Sequence, residues 1–275
     1  MLLEGKIAII NGGATGMGRA TAIKFAEEGC SSVIADVNEA GAKETVKEVT
    51  KRGRECLFVK CDIMDLKQIK NCVDQTIKKF GTVHILVGCA GGVPKSLARP
   101  APKAGEKPKR GIAYLDEAFW DAMLNLNLKG HAFFCKEVAP YMIKQKYGKI
   151  VLISSFGVFE PPMPSSEYHS AKAGILGLVY NLAFELAPSN INVNGILPGP
   201  IRTPFWDPMM AGVSEKDREA RFTEMGKSVP LQRIGTAEDI ANTVLFFASE
   251  LSSYITGETL IVGGGKPLHV YRQMV

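Results

Sequence analysis

The sequence predicts an α/β domain, a parallel sheet covered by helices on both faces. Three observations carry that expectation. Short apolar runs rich in Val and Ile alternate along the chain with longer amphipathic stretches, which is how a parallel sheet with crossover helices reads. Several of those runs end in glycines or single polar residues, at the edge where α/β proteins bind ligands. The length of 275 residues, 46% hydrophobic and 22% charged, suits one core. Neither a separating linker nor a repeat of 20–50 residues is apparent, so residues 1–275 read as a single domain.

Lys6 to Ile10 is the first expected strand, apolar and β-branched. A turn with Gly12, Thr15, Gly16, Met17 and Gly18 follows and opens a helix that Gly29 ends. A glycine turn between strand and helix lets backbone approach a pyrophosphate at the positive end of the helix dipole. The spacing here is G-x-x-x-G-x-G, not the commoner G-x-G-x-x-G. The second strand, 31–36, ends in Asp36, where a carboxylate can accept from an adenosine ribose and repel a 2′-phosphate, or simply be solvated. A helix over 38–52 and a strand over 55–60 come next. Asp62, followed by Ile63, suits an adenine edge or a helix N-cap region. Leu66 to Phe80 reads as helix and Val83 to Val87 as a buried strand, ending in Gly88, Cys89, Ala90, Gly91 and Gly92.

Residues 93–111 change texture, with four prolines and six basic residues (Lys95, Arg99, Lys103, Lys107, Lys109, Arg110) against Glu106. The net charge of +5 is concentrated there, which argues against a broad nucleic-acid face. The segment is either a solvated loop or a basic rim favouring an anionic substrate. Leu115 to Lys146 reads as one long helix that Pro140 kinks or breaks. A strand over 149–153 delivers Ser154 and Ser155, and a helix over 165–187 follows. After a strand at 191–196 come a rigid turn at Pro198 and a polar, Met-containing helical segment at 207–228. A helix over 236–249 and a last strand over 259–262 complete the pattern.

Ser155, Tyr168 and Lys172 carry the chemistry. Tyr168 and Lys172 stand at i and i+4, so on a helix they share a face. An ammonium there would lower the phenol pKa and suit it to acid/base work, while a serine hydroxyl could hold a carbonyl or alcohol oxygen. Alone the Tyr–Lys pair is weak, because such pairs are common on helix surfaces.

Other features narrow the possibilities. Six cysteines without a C-x-x-C pair read as reduced thiols, and four histidines lack ligand spacing, so no metal site is expected. His169 points about 100° round the helix from Tyr168 and can still face a pocket. With no apolar run of 18 residues and no signal-like N-terminus, no membrane association is expected, and the expected compartment is the cytoplasm.

As a set these residues resemble the short-chain dehydrogenase/reductase family, over Gly5 to Gly265. The likeness rests on Gly12, Gly16, Gly18, Asp36, Asp62, Ala90-Gly91, Asn127-Leu128-Lys129-Gly130, Ser155, Tyr168, Lys172 and Pro198-Gly199. It implies a Rossmann-type, doubly wound sheet of seven parallel strands and hydride exchange between a nicotinamide cofactor and a small molecule. Tyr168 would be the acid/base, Lys172 its modulator and a ribose ligand, Ser155 the substrate-oxygen holder, and Asn127 the support of a water relay. The turn residues with Thr15 and Met17, Asp36, Asp62, Ile63, Cys89, Ala90, Gly91, Pro198, Ile201 and Thr203 would line the cofactor.

Asp36, with only Arg19 near to welcome a 2′-phosphate, favours NAD over NADP. Phe205, Trp206, Met209, Met210, Phe222 and Met225 suggest an apolar pocket under a lid at 204–230. The substrates allowed are a steroid or bile acid, a cyclic or aromatic alcohol, or a hydroxyacyl thioester. An NADPH-dependent 3-oxoacyl thioester reductase and an inactive cofactor-binding subunit are the alternatives. A homotetramer or homodimer is expected through the helices at 115–146 and 165–187, and the tail at 266–275 would reach a neighbouring subunit. The chain departs from the family at Asn11 (usually Thr), at Gly88-Cys89 (usually Asn-Asn) and at Gly263 (usually Asp).

Overall fold

The computed structural model describes residues 1–94 and 111–266. Most of the expected basic loop, residues 95–110, and of the tail, from 267 onward, lies outside the described residues.

Apolar β-branched runs form β1 (Ile7–Asn11), β2 (Ser31–Asp36), β3 (Cys56–Lys60), β4 (Ile85–Gly88), β5 (Gly148–Ile153) and β6 (Ile191–Pro198). Two residues, β7 (Ile201–Arg202), pair in parallel with β8 (Gly235–Thr236), and β9 (Thr259–Val262) ends the series. The main sheet has seven parallel strands in the order β3-β2-β1-β4-β5-β6-β9. The chain winds outward through β2 and β3, then returns to the other side of β1 with β4. The resulting switch point lies at the C-terminal ends of β1 and β4, where Asn11 is in register with Gly88.

Helices α1 (Gly16–Glu27), α2 (Glu39–Thr50) and α8 (Ala237–Ala248) cover one face. On the other lie α3 (Leu66–Phe80), α5 (Gly130–Gln145) and α6 (Ser166–Leu186). The period of two along each strand assigns the faces. Ile9, Val33, Leu86, Ile150 and Leu152 pack with Phe134, Val138, Ile175 and Val179. Their neighbours Ile10, Ile34, Val87, Val151 and Ile153 pack with Phe25, Ala42, Val244 and Phe247. The boundaries of α3 have local causes. Asp65 accepts from the amides of Lys67 and Gln68 at its start, and Gly81 takes the left-handed conformation (φ 77°) at its end.

The expected long helix over 115–146 is one continuous helical run from Glu117 to Gln145, and the expected break at Pro140 is corrected. Helix α4 (Glu117–Leu124) runs into a π-helical turn at Asn125–Lys129, and α5 then continues through Pro140 without interruption. The irregularity sits where the Asn127 side chain enters the backbone ladder and donates to the Met123 carbonyl at 3.0 Å. The segment expected to be helical over 207–228 is a 3₁₀ turn at Pro204–Met210 followed by α7 (Glu215–Lys227), which Ser214 caps. All six cysteines are free. Among the described residues no helix is long and apolar enough to cross a membrane.

Candidate active site

The glycine turn between β1 and α1 is closed by backbone at Gly12 and Gly18 and by a side chain at Gly16. Gly12 has φ 71°, and a Cβ there would lie 2.5 Å from the Ala90 amide nitrogen at the end of β4. Gly16 has φ 52° and faces the Thr203 side chain, 3.3 Å from where a Cβ would sit. A side chain on Gly18 would collide with the Gly12 carbonyl. Thr15, the N-cap of α1, makes no side-chain capping bond, so no side chain blunts the positive end of that helix. Met17 packs inward against the α1-side core.

Asp36 is held at the β2 tip. One carboxylate oxygen accepts from the Ala14 amide and the other from the Asn38 amide, both at 2.9 Å. Arg19 is committed elsewhere: its guanidinium donates to the carbonyls of Ala14 and Gly41 and to Thr45 Oγ1. Asp62 accepts from the Met64 amide at 2.9 Å, and the Ile63 carbonyl and side chain fill the space a Cβ on Gly130 would need.

The end of β4 is clasped from three directions. Asn11 Oδ1 accepts from the Ala90 amide at 2.9 Å, so Asn at this position anchors the neighbouring strand. His131, fully buried on α5, places Nε2 2.9 Å from the Ala90 carbonyl. Asn127 accepts from the Gly92 amide and donates to the Gly92 carbonyl, both at 2.9 Å. Cys89 lies between these anchors, and burial pushes its thiol up to about 12. A Cβ on Gly91 would sit 2.9 Å from Asn127 Oδ1 and 3.0 Å from Lys172 Nζ, so only glycine lets these two side chains approach the strand end. His131 was not singled out in the sequence. Its one signal is the spacing of α5, where 131, 134, 135, 138 and 142 form the buried stripe.

Ser155, Tyr168 and Lys172 come together at the ends of β5 and α6. Ser155, whose Oγ accepts from the Gly157 amide at 3.2 Å, lies close enough to the Tyr168 phenol to favour its ionised form. Lys172 is buried, donates to the Ile153 carbonyl at 2.9 Å, and lies 5.9 Å from the centre of the Tyr168 ring. Ser154 fixes the helix by donating to the Lys172 carbonyl at 2.7 Å. The expected lowering of the Tyr168 pKa by Lys172 is corrected. Burial pushes the phenol up to about 12, and Lys172 itself is drawn down to about 8 by burial. Desolvation sets the direction, and the pull against it comes from Ser155, not from the i,i+4 lysine.

The remaining walls come from three segments. Pro198 ends β6 in register with Val262, and a Cβ on Gly199 would meet the Gly263 Cα at 2.6 Å. A Cβ on Gly263 would itself lie 2.7 Å from the Lys266 carbonyl, so the turn that follows favours glycine there. Ile201 packs inside, and its carbonyl accepts from Trp206 Nε1 at 2.7 Å. Trp206 in turn stands edge-on to Phe205, whose ring centre is 6.2 Å from that of Tyr168. His169 does turn toward the site. A methyl group on Gly157 would touch both His169 Nε2 at 2.9 Å and Ser155 Oγ at 3.3 Å.

A dinucleotide fits this edge. The positive-φ glycines, the uncapped α1 terminus and the tethered Asp36 put close backbone, a favourable dipole and a carboxylate at the C-terminal edge of the sheet. The proton-bearing groups gather at the other end of it.

Comparison with known proteins agrees with that geometry. Residues 12–266 match the family described as enoyl-(acyl carrier protein) reductase. The chain is 37% identical to the (2S)-[(R)-hydroxy(phenyl)methyl]succinyl-CoA dehydrogenase subunit BbsD of Thauera aromatica, over 98% of this chain and 99% of that one. It is 36% identical to the 3-oxoacyl-[acyl-carrier-protein] reductase FabG of Thermotoga maritima, over 96% and 99%. The crystal structure of levodione reductase superposes with a TM-score of 0.83 at 28% identity, covering 96% of this chain and 98% of that one. The chain belongs to the short-chain dehydrogenase/reductase family. It is an oxidoreductase of the kind that uses a nicotinamide cofactor on a small molecule.

Proposed function

We propose that the chain is an NAD-linked dehydrogenase interconverting a secondary alcohol and its ketone, with a hydroxyacyl thioester as the favoured substrate class. The observation that carries the reaction is the convergence of Ser155, Tyr168 and Lys172 at one strand end. NAD is favoured because Asp36 stands at the β2 tip, where a carboxylate can accept from an adenosine ribose and repel a 2′-phosphate, and Arg19 spends its guanidinium on the Ala14 and Gly41 carbonyls and Thr45. An apolar body is supported by Phe205 and Trp206 beside Tyr168. A charged, thioester-bearing end is supported by the cluster of basic residues between Pro94 and Arg110 in the sequence and by the succinyl-CoA derivative in the name of the Thauera relative.

The bound nicotinamide would supply or accept the hydride. Tyr168 Oη would donate the proton to the carbonyl oxygen in reduction, a role suited to a phenol that burial keeps protonated at neutral pH. Ser155 would hold that oxygen beside Tyr168, and Lys172, near its own titration point at neutral to mildly alkaline pH, would return the proton. Segment 204–230 would act as the lid over the substrate. The outward apolar residues Tyr180 and Phe184 of α6, next to the edge strand β9, support a homodimer or homotetramer.

A second reading, an NADPH-dependent 3-oxoacyl thioester reductase, draws on the FabG relative. Both readings are tested by following cofactor absorbance with NAD⁺ and NADP⁺ across 3-hydroxyacyl thioesters, bile acids and cyclic alcohols. Turnover of thioesters with NAD⁺ supports the first reading, and a clear preference for NADP⁺ supports the second. Tight NADH binding without turnover of any panel member would point to a binding subunit.

A further inference from the structure

We propose that His131 is a positioning residue: it holds the Ala90 carbonyl, and with it the cofactor-facing end of β4, from the space that a side chain at position 88 would otherwise fill. The inference rests on reading that strand end as part of the nucleotide site.

Ala90 is gripped at both of its backbone polar groups. Its amide donates to Asn11 Oδ1 and its carbonyl faces His131 Nε2, each at 2.9 Å. A carbonyl only accepts, so Nε2 carries the hydrogen and Nδ1 is the bare nitrogen. That Nδ1 is buried without a hydrogen-bond partner. A core position with no task beyond packing would be filled more cheaply by an apolar side chain, because an unpartnered buried acceptor is a cost. What the imidazole gives in return is the bond to Ala90.

The ring also explains Gly88. A Cβ there would lie 2.7 Å from His131 Nδ1 and 2.8 Å from Leu152 Cδ2, so the glycine makes room for the imidazole beside the β5 core residue. The family's usual asparagines at 88 and 89 are gone, and α5 supplies the brace in their place. The consequence reaches the reacting groups through Gly91, the next residue, whose Cα side is packed by Asn127 Oδ1 and Lys172 Nζ. Burial with Lys172 nearby pushes the imidazole down to about 3, so the brace is neutral across the working pH range.

The test measures NADH affinity by fluorescence and melting temperature without nucleotide, for the wild type, His131→Phe, His131→Gln, Gly88→Ala, His131→Ala and Gly88→Ala/His131→Ala. His131→Phe, which keeps a ring but loses the donor, should weaken NADH about tenfold, consistent with loss of one buried hydrogen bond. His131→Gln, which retains an N–H, should recover affinity to within about threefold of wild type. The costs of Gly88→Ala and His131→Ala should combine to less than their sum in the double variant, because removing the ring relieves the tighter of the two contacts, the other being Leu152 Cδ2. Unchanged NADH affinity in His131→Phe would overturn the proposal even where melting temperatures fall, since a packing role alone predicts that pattern, and strictly additive costs would overturn the pairing of Gly88 with His131. A wild type that binds neither NADH nor NADPH would overturn the site reading and this inference together.

Discussion

Asn127 is locked to Gly92 by a pair of hydrogen bonds, its Oδ1 accepting from the Gly92 amide and its Nδ2 donating to the Gly92 carbonyl, each at 2.9 Å. A third bond, to the Met123 carbonyl, ties the same side chain into the π-helical turn. One buried amide thus joins the π-helical turn between α4 and α5 to the loop leaving β4. Replacing Asn127 by Ala leaves the two Gly92 groups without their partner. At about 1 kcal/mol net per bond the loss should be roughly 2–4 kcal/mol, or a melting temperature lower by about 5–10 °C for a domain of this size. Calorimetry on Asn127→Ala checks this, and a shift under a degree would show that the clasp is dispensable.

Lys172 carries a stability cost along with its chemistry. Its folded pKa, about 8, lies below the ordinary 10.5. Between those two values the unfolded chain binds more protons than the folded one, so stability should rise with pH from about 8 to 10.5. Below pH 8 the full cost of burying the ammonium is present. Lys172→Met should therefore be more stable than wild type at pH 7, by roughly 1–3 kcal/mol after allowing for the lost bond to Ile153, while turnover collapses. Denaturant melts at pH 7 and pH 10 should show the advantage shrinking at the higher pH.

Cofactor choice should respond to Asp36. Asp36→Ser keeps a short acceptor but removes the charge, so KM for NAD⁺ should rise about tenfold while NADP⁺ improves. Because Arg19 is tied to Ala14 and Gly41, the substitution should not by itself give full NADP⁺ preference. Initial-rate kinetics with both cofactors decide the matter, and an unaltered ratio would remove Asp36 from cofactor discrimination.

The glycine turn has no slack at Gly12. Gly12→Ala combines a positive φ of 71° with a Cβ only 2.5 Å from the Ala90 nitrogen, and neither partner is a flexible side chain. NADH binding should be weakened at least tenfold, read by fluorescence titration. Gly53→Ala is the control: it has φ 75° with nothing within 4 Å, so it should cost stability without touching nucleotide affinity.

Features set by local chemistry were legible in the sequence. The limits of β2, α3 and β9 follow from apolar runs closed by Asp36, Asp65, Gly81 and Gly263, and the i,i+4 spacing of Tyr168 and Lys172 is a property of any helix. What escaped depends on contacts distant in sequence. The irregularity in the long helix is a π-helical turn around Asn127, not a break at Pro140, and Gly92, 35 residues away, binds the Asn127 side chain there. The role of Gly88 is visible only once α5 brings His131 over it. The direction of the Tyr168 shift depends on how much protein surrounds the ring, which spacing does not encode.

The most direct measurement compares Tyr168→Phe with wild type, recording turnover by cofactor absorbance and NADH affinity by fluorescence on the same preparations. The substitution removes one oxygen, the one that would carry the proton, and leaves the ring against Phe205. Turnover should fall by at least on the order of 10²-fold with NADH affinity kept within a few-fold. A variant that still turns substrate over at near the wild-type rate would contradict the assignment of Tyr168 as the acid/base.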